Sequence, residues 1–151
     1  MIFFNKKPSI LLVWLNTLIR KVYTFFEKIR WQSYYISINH RFKKFGKSVV
    51  IDYGVQFGGP ENISIGNNVF IGKNAMINAG KGGSIVIDDG AAIGANTTII
   101  TWNLDNLSNQ GLTRSVNKNT FKRVFIGKGV GVGYNVTINP GVVLGEGCEI
   151  A

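Results

Sequence analysis

The sequence is poor in the residues that most often carry chemistry. Among 151 residues there is one cysteine, Cys148, and one histidine, His40. A lone cysteine excludes an internal disulfide and agrees with a reducing compartment. No Cys/His cluster offers metal ligands, so no metal is expected. Proline numbers only 3 against 19 glycines, which excludes a collagen repeat, and a hydrophobic content of 45% argues against disorder. Long apolar runs are also missing. The uninterrupted stretch Ile10–Leu15 covers six residues, whereas a bilayer span needs ~20. Arg20 and Lys21 follow it where a secretory signal would place small residues for cleavage.

Acidic side chains are scarce too, 8 against 17 basic ones for a net charge of +9. The imbalance is local. Residues 1–47 hold ten basic groups and one acid, Glu27, while residues 48–151 are balanced at seven of each. A uniformly basic, nucleic-acid-binding surface is thereby excluded, and no recognition motif for nucleic acid accompanies the Tyr34–Lys44 stretch. Within the basic segment, Leu11, Leu15, Leu18, Val22, Phe25 and Ile29 recur at spacings of three and four, which predicts an amphipathic helix. Ser9, after Pro8, is its start signal. Two roles stay open for it. The helix either packs its apolar stripe on the end of the remaining domain or on a sister subunit, or lies on an anionic membrane. Trp14, Tyr23, Phe25, Phe26 and Trp31 with flanking Lys and Arg suit the second.

From residue 51 onward aliphatic or aromatic side chains fall every six positions: Ile51, Phe57, Ile63; Ile65, Ile71, Ile77; Ile87, Ile93, Ile99; Ile126, Val132, Ile138; Leu144, Ile150. The next residue is small or acidic, and turn pairs such as Lys73-Asn74, Asp89-Gly90 and Tyr134-Asn135 lie between them. Each unit reads as a short strand and a turn, and three units close a triangular coil of eighteen residues. The aliphatic points inward onto its counterpart one coil away, and Gly or Asn supplies the positive φ at the corner. The extra residues enter only after a third unit, so all insertions leave from one corner. The fold class is mainly β: a single-stranded left-handed parallel β-helix at residues 47–151, with an inserted loop at 101–123, behind an N-terminal basic amphipathic helical segment at 1–46.

The segments VFIGKNAMI, AAIGANTTII and VFIGKGVGVGYNVTINPGVVLGEG resemble the hexapeptide-repeat acyltransferases, over about residues 46–151. They are most similar to bacterial O-acetyltransferases of polysaccharide and lipopolysaccharide synthesis, of the colanic-acid and maltose/galactoside type. The resemblance implies a homotrimer that moves an acetyl group from acetyl-CoA, without metal, to a hydroxyl of a sugar or glycan precursor. It places the work in the cytoplasm, at the inner face of the membrane if residues 1–47 make a peripheral contact. A loop histidine acts as general base in such enzymes. Here the matching loop reads Thr101-Trp102-Asn103-Leu104-Asp105, and either Leu104 or Trp102 stands where that base is expected. Asn103 and Asp105 are the remaining catalytic candidates. Gly131, Gly133 and Asn135 are the candidates for binding acetyl-CoA, Gly131 standing where relatives often carry Trp. The repeat stops inside a fifth coil, which reads as a truncated relative. The missing base leaves a second function open: an inactive β-helix that binds a partner or scaffolds a complex.

Overall fold

A computed structural model describes residues 9–80, 82–102 and 121–151. The chain divides into two compact units, Met1–Ser37 and Ile38–Ala151.

The first unit is helical. Helix α1 runs Ile10–Ile38. Ser9 caps it as expected: its Oγ accepts the Leu12 amide proton at 3.4 Å and its carbonyl accepts that of Val13 at 3.1 Å. Among the described residues no helix is long and apolar enough to cross a membrane.

The second unit is a parallel β-helix built coil by coil. The first coil holds β1 (Lys44–Phe45), β2 (Val50–Ile51) and β3 (Gln56–Gly58). The second holds β4 (Ile63–Ile65), β5 (Phe70–Ile71) and β6 (Met76–Asn78). The third holds β7 (Ile85–Ile87), β8 (Ala92–Ile93) and β9 (Thr98–Ile100). The fourth holds β10 (Val124–Ile126), β11 (Gly131–Val132) and β12 (Thr137–Ile138), and β13 (Val143–Leu144) and β14 (Glu149–Ile150) follow. Corresponding strands of successive coils pair in parallel, giving three sheets of five, five and four strands. Strands of two or three residues hold few hydrogen bonds each, so stability comes from stacking coil on coil.

The register places like on like. Ile71 pairs with Ile93, and Ile93 with Val132. Ile77 pairs with Ile99, and Ile99 with Ile138. These columns fill the interior, where Ile65, Ile71, Ile77, Ile93, Ile99 and Ile126 are fully buried. Each such side chain contributes ~1.5–3 kcal/mol relative to exposure. Thr97, one of two buried polar side chains among the described residues, donates its hydroxyl proton to the Gly133 carbonyl at 2.9 Å.

The start of the first coil differs from the sequence reading. Phe45, not Ile51, opens it, and β1 is already in register with β4, ahead of residue 47. Ile63 shares β4 with Ile65 instead of closing the first coil, and pairs with Ile85. The reason is the two-residue alternation of a strand. The three-residue strands β4, β7 and β10 bury both of their end residues, so that sheet has two inward columns and the six-residue count picks up the wrong one. Phe42 is buried beneath this coil, its ring centroid 5.2 Å from that of Phe45 and 5.0 Å from that of Phe57.

The connections that depart from the repeat lie at one corner, between the third strand of a coil and the first of the next, at residues 59–62, 79–84 and 101–123, while 139–142 is a regular four-residue turn at that same corner. The other two corners repeat without interruption. Their turns hold the second residue at positive φ, as at Asn68, Asn74, Asn96 and Asn135, whose φ values lie between 54° and 58°.

Candidate functional site

Two features stand out on the β-helix: a groove on one outer face and the stalk of the insertion. The groove has a volume of about 530 Å³ and is lined by Ala92, Gly131, Val132, Gly133, Glu149, Ile150 and Ala151. Its origin is a column of outward side chains. Register aligns Val50, Phe70, Ala92, Gly131 and Glu149 on one sheet, each on the next coil. Side-chain size falls from Phe70 through Ala92 to nothing at Gly131. The hollow is that loss, walled by Glu149, whose Cγ would lie 3.4 Å from a Cβ built on Gly131. The amides here are already used: Gly131 N–H donates to the Cys148 carbonyl at 3.0 Å and Gly133 N–H to that of Ile150 at 2.7 Å. The groove therefore offers mainly apolar contact with one carboxylate at its wall, a surface suited to a slender, weakly polar chain.

Gly131 and Gly133 thus come together in the groove. Asn135 does not line it. It sits at the next corner with φ 58° and donates its N–H to the Ala95 carbonyl at 3.0 Å.

The insertion leaves and returns through a tight stalk. Thr101 is buried, its Oγ1 accepting the Gly80 amide proton at 2.9 Å and its carbonyl accepting that of Lys122 at 2.9 Å. Trp102 and Phe121, on the outgoing and incoming strokes, both lie over Gly80. A Cβ there would come within 2.8 Å of Trp102 Cδ1 and 3.0 Å of Phe121 Cε1. Trp102 is therefore a packing residue at the stalk, and it carries no group able to take a proton. Asn103, Leu104 and Asp105 lie outside the described residues, as do Arg114 and Lys118. Lys122 and Arg123 stand at the foot of the insertion, Arg123 with its guanidinium carbon 5.3 Å from the centroid of the Phe125 ring.

His40 is exposed in a 3-10 turn, Asn39–Arg41, that precedes β1. The groove is at the other end of the stack, since β14 and β11 lie farthest from β2 in their sheet. No imidazole of the same chain therefore serves it. Among the described residues, no group of three His, Cys, Asp or Glu is placed to hold a metal ion.

Ala92, Glu149, Gly80 and Phe121 escaped the sequence reading. The first two become neighbours of Gly131 only through register across coils. The last two had a signal in the glycine cluster at 80, 82 and 83, where the corner must admit large rings.

No protein-family model matches the chain. It is 31% identical, over 132 residues, to the dTDP-4-amino-4,6-dideoxy-D-glucose acyltransferase of Escherichia coli, an alignment covering 72% of this chain and 69% of that protein. Among solved structures it resembles AntD, an N-acyltransferase from Bacillus cereus crystallised with dTDP and coenzyme A. The TM-score is 0.58 at 25% identity, covering 74% of this chain and 72% of that one. A maltose O-acetyltransferase from Clostridium difficile 630 shares the fold, with a TM-score of 0.62 at 22% identity over 95% of this chain and 79% of that one. With its stacked six-residue units and this likeness along most of its length, the chain belongs to the hexapeptide-repeat sugar acyltransferases.

Proposed function

We propose that this chain takes an acyl group, acetyl in the first instance, from a CoA thioester and places it on a nucleotide-linked sugar, at an amino group in preference to a hydroxyl. The observation that carries this is the 31% identity to an acyltransferase of a dTDP-linked amino sugar. The chemistry of the chain supports the preference. A hydroxyl needs a base to become nucleophilic, and losing that base lowers rates about 10²–10⁴-fold. Residues 41–151 contain no histidine. A neutral amine attacks a thioester carbonyl unaided. Simple α-amines have pKa values of ~7.7–8.0, so an appreciable fraction is neutral near pH 7. The N–C bond forms, the C–S bond breaks, and CoA leaves as its thiolate. The nitrogen becomes acidic on attack, so a weak acceptor such as Asp105 suffices to take its proton, with Asn103 beside it on the insertion. Leu104 is then no defect, because an amine acceptor does not require the base it replaces.

Ala92, Gly131 and Gly133 would receive the slender pantetheine arm of the donor, and Lys122 and Arg123 suit its phosphates. Exposed apolar side chains on the outer faces, Val50, Phe70, Met76 and Val143, support assembly into a homotrimer. Acylated sugar nucleotides feed surface-polysaccharide synthesis, which argues for a cytoplasmic enzyme. The basic excess of residues 1–47 supports a peripheral contact with the inner face of the membrane.

Thiol release by the purified chain, with acetyl-CoA and either a dTDP-linked 4-amino sugar or its 4-hydroxy parent, tests the reading. Release is expected with the amine, rising with pH through the acceptor's own pKa, and unchanged in His40→Ala. Release confined to the hydroxyl acceptor and abolished in His40→Ala would overturn the preference, and no release with either would overturn the activity.

A further inference from the structure

Helix α1 carries a surface that acyl transfer does not use. At 100° per residue, Leu11, Leu15, Leu18, Val22, Phe25 and Ile29 fall on one half of its circumference. Asn16, Thr17, Arg20, Thr24, Glu27 and Lys28 fall on the other. The apolar half is exposed: Leu11 is 77%, Leu18 59% and Phe25 60% accessible. Trp14 and Tyr23 sit at the two seams between the halves, both exposed. The polar half is internally quiet. Thr17 and Thr24 donate their hydroxyl protons to the carbonyls of Val13 and Arg20, at 2.8 and 3.0 Å. The helix's one acid, Glu27, is paired with Arg30 at 2.8 Å, which leaves Arg20, Lys21 and Lys28 as its uncompensated charges.

We infer that α1 lies flat in the surface of an anionic bilayer, its Leu11–Leu18–Phe25 side submerged, Trp14 and Tyr23 at headgroup level, and Lys21 and Lys28 on lipid phosphates. This rests on the peripheral membrane contact proposed above and adds to it an orientation and a lipid charge. The charge chooses the occupant. A basic helix with its acid neutralised is drawn to negative headgroups, whereas a second copy of the same helix would oppose like charges. The amphipathic aromatics favour the boundary between water and hydrocarbon, where both seams then lie. Arg20 and Lys21 at mid-helix oppose a spanning arrangement.

The full chain is floated with phosphatidylcholine vesicles and with mixed phosphatidylcholine–phosphatidylglycerol vesicles. It should rise with the mixed vesicles alone. Combined Lys21→Gln and Lys28→Gln should weaken partitioning about 30-fold, at ~1 kcal/mol per basic side chain near an anionic surface. In a Cys148→Ser background, nitroxide labels on Leu18→Cys and Thr24→Cys then read depth. The label at 18 should be exposed to oxygen in the hydrocarbon and the label at 24 to a water-soluble nickel complex. Equal flotation with neutral vesicles would overturn the anionic-lipid preference, and flotation with both labels in water would overturn the orientation, each leaving a membrane contact standing. No flotation at all would remove the contact as well. Light scattering then shows whether Leu18→Ser with Phe25→Ser splits an oligomer, which would assign the face to a second copy.

Discussion

Gly72 and Gly129 occupy different places in the repeat and tolerate different replacements. Gly72 follows an inward isoleucine, and a Cβ there would come within 2.7 Å of the Ala95 backbone nitrogen on the next coil. Gly129 turns a corner at φ 66° with nothing within 4 Å. The first needs space and the second needs left-handed backbone, which Asn also adopts. Gly72→Ala should therefore cost about 1–3 kcal/mol of unfolding free energy through overpacking. Gly129→Asn should change it by less than about 0.5 kcal/mol, since Asn96 and Asn135 already hold the same conformation at another corner. Urea denaturation of both variants makes the comparison. The corner residues were legible in the sequence for this reason: Gly and Asn at a fixed offset have a local steric cause that no tertiary context has to supply.

At the scale of the element, one corner of the prism is tied by side chains from coil to coil. Asn67 Oδ1 accepts the Lys47 amide proton at 2.9 Å, and Asp89 Oδ1 accepts that of Asn67 at 2.6 Å. The Asn67 side-chain amide also donates to both Asp89 oxygens at 3.2 Å. These bonds hold the Asp89 carboxyl below its ordinary value of 3.8, the Asn67 backbone N–H first and its side chain second, with Lys44 and Lys128 assisting against a little desolvation. A depressed carboxylate stabilises the folded state fully above its ordinary pKa, and that contribution disappears as pH falls through the lower folded value. The stability gap between the parent chain and Asp89→Asn should thus be constant at neutral pH and shrink below about pH 4. Thermal unfolding followed from pH 7 to pH 2.5 would show it, and a gap that stays constant throughout would refute this role. The first coil was less legible than this corner. Phe45 lies among Lys43, Lys44 and Lys47 and reads as part of the basic segment. Only its register with Ile65 shows it to be a rung of the repeat, on a terminal coil where it stays 39% exposed.

At the scale of the whole molecule, the stacked prism was readable because inward aliphatics six apart have few other ways to be buried together. The candidate site was readable in part. Gly131 and Gly133 are marked by the repeat itself, but the groove they share with Ala92 exists only because the long insertion lets residues 92 and 131 meet in register. Asn135, two positions on from Gly133, has already turned the corner. If the groove receives the acyl donor, Ala92→Trp should raise KM for acetyl-CoA about tenfold, the loss of ~1.4 kcal/mol of binding, and leave KM for the sugar nucleotide unchanged. Steady-state kinetics with each substrate varied in turn separates the two.

Mass spectrometry of the acceptor is the most direct test of the central claim. The 151-residue chain is incubated with acetyl-CoA and a dTDP-linked 4-amino sugar. The product should be heavier by one acetyl group, with fragmentation placing it on the sugar nitrogen and one CoA released per product formed. An acceptor unchanged in mass, or CoA released at the same rate without it, would rule out N-acylation by this chain.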